Sequence, residues 1–293
     1  MSQEASIRKQ IVMDTLVTIT AVPPGAESAI DRAFGWFYQI EECCTRFDSS
    51  SELMQLTTRA GTAVPVSAML FECVQFALKV AEETGGAFDP TVGHRMERRG
   101  FNRNHRTGQV ICTGIVPEDD VSYRDVHLDP VSRSIQLDRA LILDLGAVAK
   151  GLAIDMAARE LQPFGDFSID AGGDLYLGGS NPDGKPWHVG IRHPQHDDRV
   201  IYELNASDQA VCTSGDYERG AHILDPRAGA PANSACSVTV IASNAMLADA
   251  LSTAAFVLGP AEGVALLERM GVDGVIVTPA LERFETQGLR DAA

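Results

Sequence analysis

The chain has 293 residues, of which 45% are hydrophobic and 22% are charged. This composition is typical of a soluble globular protein, and it excludes a collagen, a disordered chain and a small disulfide-bonded scaffold. Acidic residues outnumber basic ones by 40 to 24, so the formal net charge is −16. A surface this acidic argues against nonspecific binding to nucleic acid or to anionic membranes. A polyanionic substrate would therefore need a local cation or helix N-termini in its site.

The first residues carry no long apolar segment after a basic start and no early cysteine that could bear a lipid. We therefore expect neither a signal peptide nor a lipoprotein anchor, and a cytoplasmic location. A membrane-spanning segment is not expected either, because no run of 18 uncharged apolar residues occurs.

The first half of the chain predicts one strand, two helices and a long irregular segment. Residues 12–22 are rich in Val, Ile and Thr, which favours a strand. Apolar residues recur at helical spacing from Ile30 to Cys44, and a second helix is predicted from about Ser67 to Gly85. Residues 94–133 are polar and irregular, which predicts loops and a possible lid.

The second half alternates short strands with helices. The predicted elements are a strand over 134–143, a helix over 147–161, a strand over 167–177, strands over 187–192, 200–204 and 237–242, helices over 245–258 and 261–270, and a strand over 274–278. No Pro-, Ser- or Gly-rich linker divides the chain, so we predict a single domain over residues 1–293.

A glycine-rich segment, Asp144-Leu145-Gly146-Ala147-Val148-Ala149-Lys150-Gly151, lies at a strand-to-helix junction. Free N–H groups at a helix start, small residues and one lysine suit a phosphate group. Asp144 is suited to accept hydrogen bonds from a ligand. The alternative is an ordinary glycine-rich turn in which Asp144 caps the helix.

Two adjacent glycines, Gly172 and Gly173, interrupt the strand predicted over 167–177. Such a pair indicates a bulge or a close approach of another backbone. A purely structural kink is the alternative.

Hydroxyls, carboxylates, a histidine and two arginines are concentrated in Thr213-Ser214-Gly215-Asp216-Tyr217-Glu218-Arg219 and His222-Ile223-Leu224-Asp225-Pro226-Arg227-Ala228-Gly229. A histidine near an aspartate suits acid–base catalysis or a phosphate contact. The alternative is a structural histidine followed by a turn at Asp225-Pro226.

Asp249 and Thr253 are four residues apart in a predicted helix, so their side chains share one face. A carboxylate and a hydroxyl are hard oxygen donors suited to Mg²⁺. Alternatively, Asp249 caps the helix and Thr253 bonds back to a backbone carbonyl.

These four segments occur together with Met13-Asp14-Thr15, Ser51-Glu52-Leu53 and Gly86-Ala87-Phe88-Asp89-Pro90-Thr91-Val92-Gly93. In this order, from Met13 to Gly259, they resemble the motifs of the ApbE family, the FAD:protein FMN transferases. The resemblance implies an α+β fold, ApbE-like and T-fold-like, with two halves and the FAD site between them. It also implies Mg²⁺-dependent transfer of FMN from FAD to a Thr or Ser hydroxyl of a client protein, with release of AMP.

The resemblance also implies roles for individual residues. The metal ligands would be the side chains of Asp249 and Thr253 and the carbonyl of Ala147. Catalytic roles would fall to His222, as a base, and to Asp249. The FAD-binding residues would be Met13, Phe47, Ala87, Phe88, Asp89, Asp144, Lys150, Gly172, Gly173, Thr213, Ser214, His222 and Leu224.

Two local features depart from the family pattern. Asp14 stands where the family usually has glycine, and the segment from His94 to Phe101 is more basic than the usual apolar loop. Two alternative functions remain open, an FAD pyrophosphatase that yields FMN and AMP, and an FAD-binding carrier without turnover. We expect FAD and a client protein as partners, with no nucleic acid.

Overall fold

The structure is a computed structural model that describes residues 5–22, 24–104, 107–116, 120–216, 220 and 222–292. The strands are β1 (Ser6–Val12), β2 (Thr15–Ala21), β3 (Val64–Pro65), β4 (Val126–Asp129), β5 (Ser134–Leu137), β6 (Phe167–Ala171), β7 (Asp174–Gly178), β8 (Trp187–His193), β9 (His196–Ala206), β10 (Gln209–Gly215), β11 (Leu224–Asp225), β12 (Ala230–Pro231), β13 (Ser237–Ala242), β14 (Asp273–Val277) and β15 (Arg283–Glu285). The helices are α1 (Glu27–Cys44), α2 (Glu52–Thr57), α3 (Ala68–Glu83), α4 (Gly93–Arg98), α5 (Gly146–Leu161), α6 (Ala245–Leu258), α7 (Pro260–Arg269) and α8 (Gln287–Ala292).

The chain divides into two compact units. Unit 1 comprises Met1–Tyr38, Lys150–Ile223 and Ala232–Ala293, and unit 2 comprises Gln39–Ala149 and Leu224–Pro231. Antiparallel sheets combined with separate helices confirm the predicted α+β class. Among the described residues, no helix is long and apolar enough to cross a bilayer.

Unit 1 is built on an eight-stranded sheet in the order β1-β2-β6-β7-β10-β13-β14-β15. Each neighbouring pair in this sheet is antiparallel. Helices α6 and α7 pack against its strands, and α6 contacts β7, β10 and β13. The hairpin formed by β8 and β9 joins the same unit through an apolar cluster with members on β7, β8, β10 and β13.

Unit 2 contains a three-stranded sheet in the order β3-β5-β4, with α2, α3 and α4 in the same unit. Ser67 is the N-cap of α3, as predicted, and its hydroxyl accepts the N–H of Leu70. The carboxylate of Glu52 accepts both the N–H and the hydroxyl of Ser67, each at 2.6 Å. The Ser51-Glu52-Leu53 motif therefore ties the start of α2 to the start of α3.

The strand predicted over 12–22 is wrong as one continuous element. It comprises the end of β1, a two-residue turn and β2. Met13 and Asp14 form the turn, with φ values of 53° and 59°. Two left-handed residues in a two-residue loop match the twist of the flanking strands. The family's glycine at position 14 suits the same backbone, which Asp14 adopts at the cost of some strain.

The glycine pair after β6 also forms a hairpin turn. Gly172 and Gly173 have φ values of 67° and 94°, and they connect Ala171 to its pairing partner Asp174. The strand predicted over 167–177, with its interruption at these glycines, is therefore two strands, β6 and β7. A Cβ atom on Gly172 would lie 2.0 Å from the Thr15 hydroxyl, so the atom that approaches this glycine belongs to a side chain and not to another backbone.

The segment over 94–133 contains more regular structure than the predicted loops. Residues 93–98 form α4, and β4 begins at Val126. Residues 105–106 and 117–119 lie outside the described part of the chain. The strand predicted over 134–143 is shorter in the structure, because β5 ends at Leu137. The lid over 94–133 and the single-domain organisation remain predictions.

Helices α5 and α6 meet at very short range within unit 1. A Cβ atom on Gly151 would lie 2.5 Å from the Cα of Met246 and 2.6 Å from the carbonyl oxygen of Ala245. The Asp155 carboxylate accepts the N–H of Ala245 at 2.6 Å and that of Met246 at 3.0 Å. These N–H groups belong to the first turn of α6, where no intrahelical acceptor exists. Asp155 therefore anchors the start of α6.

We predict that Asp155 makes folding stability depend on pH. Burial raises the pKa of its carboxyl to about 6, although the N–H groups of Ala245 and Met246 oppose the rise. A carboxyl with a raised pKa holds its proton more tightly in the folded state, so its contribution to stability decreases as pH rises towards 6. Between about pH 5 and 7.5, the unfolding free energy of the wild type should fall by roughly 1 kcal/mol relative to Asp155→Asn.

Urea unfolding at both pH values measures this difference. Asp183→Asn, which removes an exposed carboxylate, serves as the control and should leave the pH dependence of the wild type unchanged. Equal pH dependence in the wild type and Asp155→Asn would contradict the assignment.

Candidate functional site

One part of the candidate site lies inside unit 1, and we call it the Lys150 cluster. Its members are Lys150 on α5, Asp174 on β7, Ser214 on β10, and Asp249 and Thr253 on α6. Asp174 and Asp249 are only 2% and 5% exposed, respectively. Three elements of the sheet and helix layers thus bring the acidic and hydroxyl groups to one place.

The ammonium group of Lys150 forms ion pairs with two buried carboxylates in this cluster. Lys150 Nζ contacts Asp174 Oδ2 directly and lies 3.5 Å from Asp249 Oδ2. With both carboxyls ionised, these three side chains carry a net charge of −1. Buried charges are costly unless they are compensated, so the burial of the two carboxylates depends on the ammonium of Lys150.

Three hydroxyl groups on β10 and α6 lie close to one another in the same unit as Asp249. Thr253 lies one helical turn further along α6, and its hydroxyl is 3.1 Å from that of Ser214. Ser214 also lies 2.8 Å from the Ser252 hydroxyl. Within the described residues, no group of three or more His, Cys, Asp or Glu is arranged to hold a metal ion.

His222 lies in unit 1, and its ring is oriented by the backbone. Nδ1 is 2.9 Å from the carbonyl oxygen of Gly220. Because a carbonyl can only accept a hydrogen bond, Nδ1 carries the proton in the neutral ring and Nε2 is the basic nitrogen. The neighbouring Tyr217, Glu218 and Arg219 lie outside the described residues.

Leu224 and Asp225 belong to unit 2, where they form β11. Leu224 is buried. The Asp225 carboxylate accepts two hydrogen bonds from the Arg227 guanidinium, both at 3.0 Å, and one from the Arg227 N–H. Asp225 therefore begins a turn, as the structural alternative predicted.

The other part of the candidate site lies in unit 2 around Asp144. The Arg46 guanidinium donates to Asp144 Oδ2 at 2.7 Å and to the carbonyl of Phe101 at 2.5 Å. It also stacks over the ring of Phe47, with 4.2 Å to the ring centroid. Asp144 Oδ1 accepts the N–H of Gly146, so Asp144 both caps the start of α5 and pairs with Arg46.

The turn from Ala87 to Asp89 is buried in unit 2. Asp89 Oδ1 accepts the N–H of Thr91, and Oδ2 accepts the N–H of Tyr123. Beside Asp89 and Tyr123 lies a cavity of about 320 Å³, which Arg95 and Arg124 also line. This volume is at the lower end of small-molecule sites.

Within each unit, the structure brings some of the predicted residues into contact and places the others elsewhere in that unit. In unit 1, Lys150, Ser214 and Asp249 form one cluster, and Thr213 joins it by donating its N–H to Asp174 Oδ1 at 2.9 Å. Met13, Gly172 and Gly173 lie in hairpin turns of the same unit. In unit 2, Phe47 and Asp144 are linked through Arg46, whereas Ala147 lies in the first turn of α5.

Three residues of this region were absent from the predicted set. Asp174 directly follows Gly172 and Gly173 in the sequence. An acidic residue next to a glycine turn could have indicated a site residue. Arg46 directly precedes Phe47, but its partner Asp144 is 98 residues away. Asp155 accepts the N–H of Ala245, which is 90 residues away in the sequence. No local sequence pattern indicates this contact.

We predict that Arg46→Met destabilises the fold by about 2 to 4 kcal/mol, because it leaves the Asp144 carboxylate without its charged partner in a largely buried place. The Arg46 and Asp144 side chains are 7% and 21% exposed, respectively. Arg8→Met is the matched control, since the Arg8–Asp31 pair is 44% and 60% exposed. Its loss should stay below about 1 kcal/mol. Equal losses in denaturant unfolding would show that the Arg46 pair contributes no more than a surface pair.

Comparisons with known proteins agree on one family. The pattern of the ApbE family matches residues 13–276. The FAD:protein FMN transferase of Treponema pallidum is 33% identical, and the alignment covers 97% of this chain and 87% of that protein. The FAD:protein FMN transferase of Vibrio cholerae is 28% identical, with 84% of this chain and 78% of that protein covered.

Solved structures show the same similarity. The ApbE protein of Thermotoga maritima aligns with a TM-score of 0.86 at 30% identity, over 98% of both chains. The flavin transferase ApbE of Vibrio cholerae aligns with a TM-score of 0.85 at 25% identity, over 98% of this chain and 99% of that one. With a family match over most of its length and the same fold, this chain belongs to the ApbE family.

Proposed function

We propose that this protein transfers FMN from FAD to a threonine or serine hydroxyl of a client protein and releases AMP. The observation that carries the proposal is the match, over almost the whole chain, to relatives named FAD:protein FMN transferase. The Lys150 cluster supports it, because its two buried carboxylates and its ammonium would suit a cation site in an otherwise acidic protein. A substrate with a charged pyrophosphate needs such a site.

Asp249 and Thr253, with the carbonyl of Ala147, would hold Mg²⁺. A carboxylate and a hydroxyl one helical turn apart fit a hard cation, and the buried negative charge around Asp249 favours its binding. When bound, Mg²⁺ would neutralise charge that develops on the pyrophosphate as AMP leaves. Lys150 would contribute a further positive charge to the same group.

His222 would take the proton from the client hydroxyl as its oxygen attacks the phosphorus of the FMN moiety. The bond from this phosphorus to the bridging oxygen breaks, and its electron pair leaves with AMP. Hydrogen bonding of Nδ1 to the Gly220 carbonyl supports this role, because it leaves Nε2 as the nitrogen that can accept a proton.

The remaining predicted residues would bind other parts of FAD. Met13, Phe47 and Phe88 would provide apolar contacts for the isoalloxazine ring. Asp144, whose carboxylate is oriented by its ion pair with Arg46, would accept hydrogen bonds from the cofactor. Gly172, Gly173, Thr213 and Leu224 would lie beside it.

Intact-mass spectrometry of a threonine-acceptor domain tests the proposal. After incubation with this protein, FAD and Mg²⁺, we expect the acceptor to gain the mass of one FMN. Removal of the metal with EDTA, or Asp249→Ala, should lower the rate by about 100-fold or more, because several kcal/mol of charge stabilisation are lost. Asp183→Ala, which removes an exposed carboxylate, should retain the wild-type rate.

The other outcomes separate the alternatives. Free FMN and AMP without a mass gain would favour an FAD pyrophosphatase in which water replaces the client hydroxyl. Intact FAD with tight binding would favour a carrier without turnover.

We predict that His222→Asn slows transfer by about 10² to 10⁴-fold, the usual contribution of a general base. FAD affinity should fall much less than the rate of transfer, because the asparagine amide can still donate to the Gly220 carbonyl and hold the side chain in place. Single-turnover kinetics and a fluorescence titration of FAD separate these effects. An unchanged rate of transfer in His222→Asn would exclude the histidine as the base.

A further inference from the structure

The first hairpin of unit 1 leaves apolar side chains exposed on one face of the sheet. Ile7 and Ile11 on β1 are 61% and 73% exposed, and Leu16 on β2, which pairs with Ile11, is 50% exposed. Lys9 is also exposed and lies on the same face, because alternate residues of a strand point to the same side. We call these four residues the β1 face.

The β1 face lies on the same side of the sheet as the β8–β9 hairpin. That hairpin packs on the central strands through an apolar cluster that includes Leu177. Leu177 pairs with Ser168, which pairs with Thr20, and Thr20 pairs with Ile7, so the register places all four side chains on one side. The opposite side of β1 bonds to α1. The hairpin therefore covers the middle of this side of the sheet and leaves the end at β1 uncovered.

Strand β1 also forms an edge of the sheet. It stands first in the sheet order, and within the described residues it pairs with β2 alone. An edge strand presents backbone N–H and C=O groups that can pair with a further strand. Exposed side chains beside such an edge suit strand addition, in which main-chain hydrogen bonds give affinity and side chains give specificity.

The charge of β1 limits which strand can be added. Its charged residues, Arg8 and Lys9, are both basic, in a chain with a net charge of −16. Arg8 pairs with Asp31 at 2.7 Å, whereas Lys9 forms no salt bridge with any described residue. Two copies of β1 paired antiparallel about Lys9 would place like charges opposite each other, which is unfavourable. An acidic side chain opposite Lys9 is favourable by the same rule.

We propose that an extended segment of the client protein docks on β1 as an added strand, with an acidic residue opposite Lys9 and apolar residues opposite Ile7 and Ile11. This pattern, apolar-x-acidic-x-apolar, reads the same in both chain directions. Strand β1 ends at Val12, directly before Met13, so the added segment leads towards a residue expected to contact FAD. The inference rests on the proposed function, in which a client protein supplies the hydroxyl.

Peptide binding to the full chain without FAD tests the surface. The probe is fluorescein-labelled Thr-Val-Thr-Asp-Thr-Val-Thr, compared by fluorescence anisotropy with the same peptide carrying Lys in place of Asp. The Asp peptide should bind about fivefold more tightly, because its acidic residue faces a lysine. Lys9→Glu should reverse this preference. Lys185→Glu, the same change of charge at an exposed lysine of the same unit, should preserve it.

Hydrogen exchange with the Asp peptide bound shows whether the peptide adds as a strand. Binding should slow the exchange of amides in Ser6–Val12 and leave the amides of β15, at the other edge of the sheet, unchanged. Ile11→Asp should weaken binding of this peptide, since it removes an apolar contact and adds a like charge. Val131→Asp changes a valine that is 96% exposed elsewhere, and it should have no effect.

Several results would overturn the inference. These are the absence of binding to the wild type, binding without slower exchange in β1, and an unchanged preference in Lys9→Glu. A dimer in sedimentation velocity that Ile11→Asp dissociates would assign the β1 face to a second copy of this chain. Binding to phosphatidylglycerol vesicles, with no binding of the peptide, would assign it to a membrane surface.

The transfer assay separates this inference from the proposed function. With an acceptor domain that carries the Asp peptide sequence next to its threonine, Lys9→Glu should raise the KM for the acceptor about fivefold and leave kcat unchanged. Peptide binding at β1 without FMN transfer would contradict the proposed function and support the added strand. FMN transfer with the same KM in Lys9→Glu and wild type would support the proposed function and overturn docking of the client at β1.

Discussion

The position of the Lys150 cluster in unit 1 depends on the docking of α6 against α5. Gly151 allows the two backbones to approach so closely that even a methyl group would overlap Met246. Asp155 then satisfies N–H groups at the start of α6 that have no partner inside that helix. Since Asp249 and Thr253 lie in the following turns of α6, their position follows from this contact.

Arg46 in unit 2 and Lys150 in unit 1 each pair with carboxylates, and their environments differ. Arg46 in unit 2 is matched by one carboxylate, an aromatic ring and a backbone carbonyl, so its environment is saturated. Lys150 in unit 1 faces two carboxylates with a single charge. The Arg46 pair fixes local structure within unit 2, whereas Lys150 links two carboxylates that belong to different elements of unit 1.

Some of the fold was predictable because the signals are local. The N-cap at Ser67 and the bounds of α6 follow from side chains within a few residues, as does the helical spacing of Asp249 and Thr253. The hairpin turns at positions 13–14 and 172–173 were not recognised, because strand composition continues on both sides of each turn. The α4 helix was missed since its residues 93–98 are polar and carry no apolar repeat.

The sequence by itself determined the α+β class, the order of the motifs and, through them, membership of the family. It could not decide between functional and structural interpretations of single residues such as Asp144 or Asp249, because each motif is compatible with both. Tertiary structure decided which side chains meet: Arg46 with Asp144, Asp155 with the start of α6, and Lys150 with Asp174 and Asp249. The partners in the first two contacts are 98 and 90 residues apart, so only folding of the chain brings their charges together.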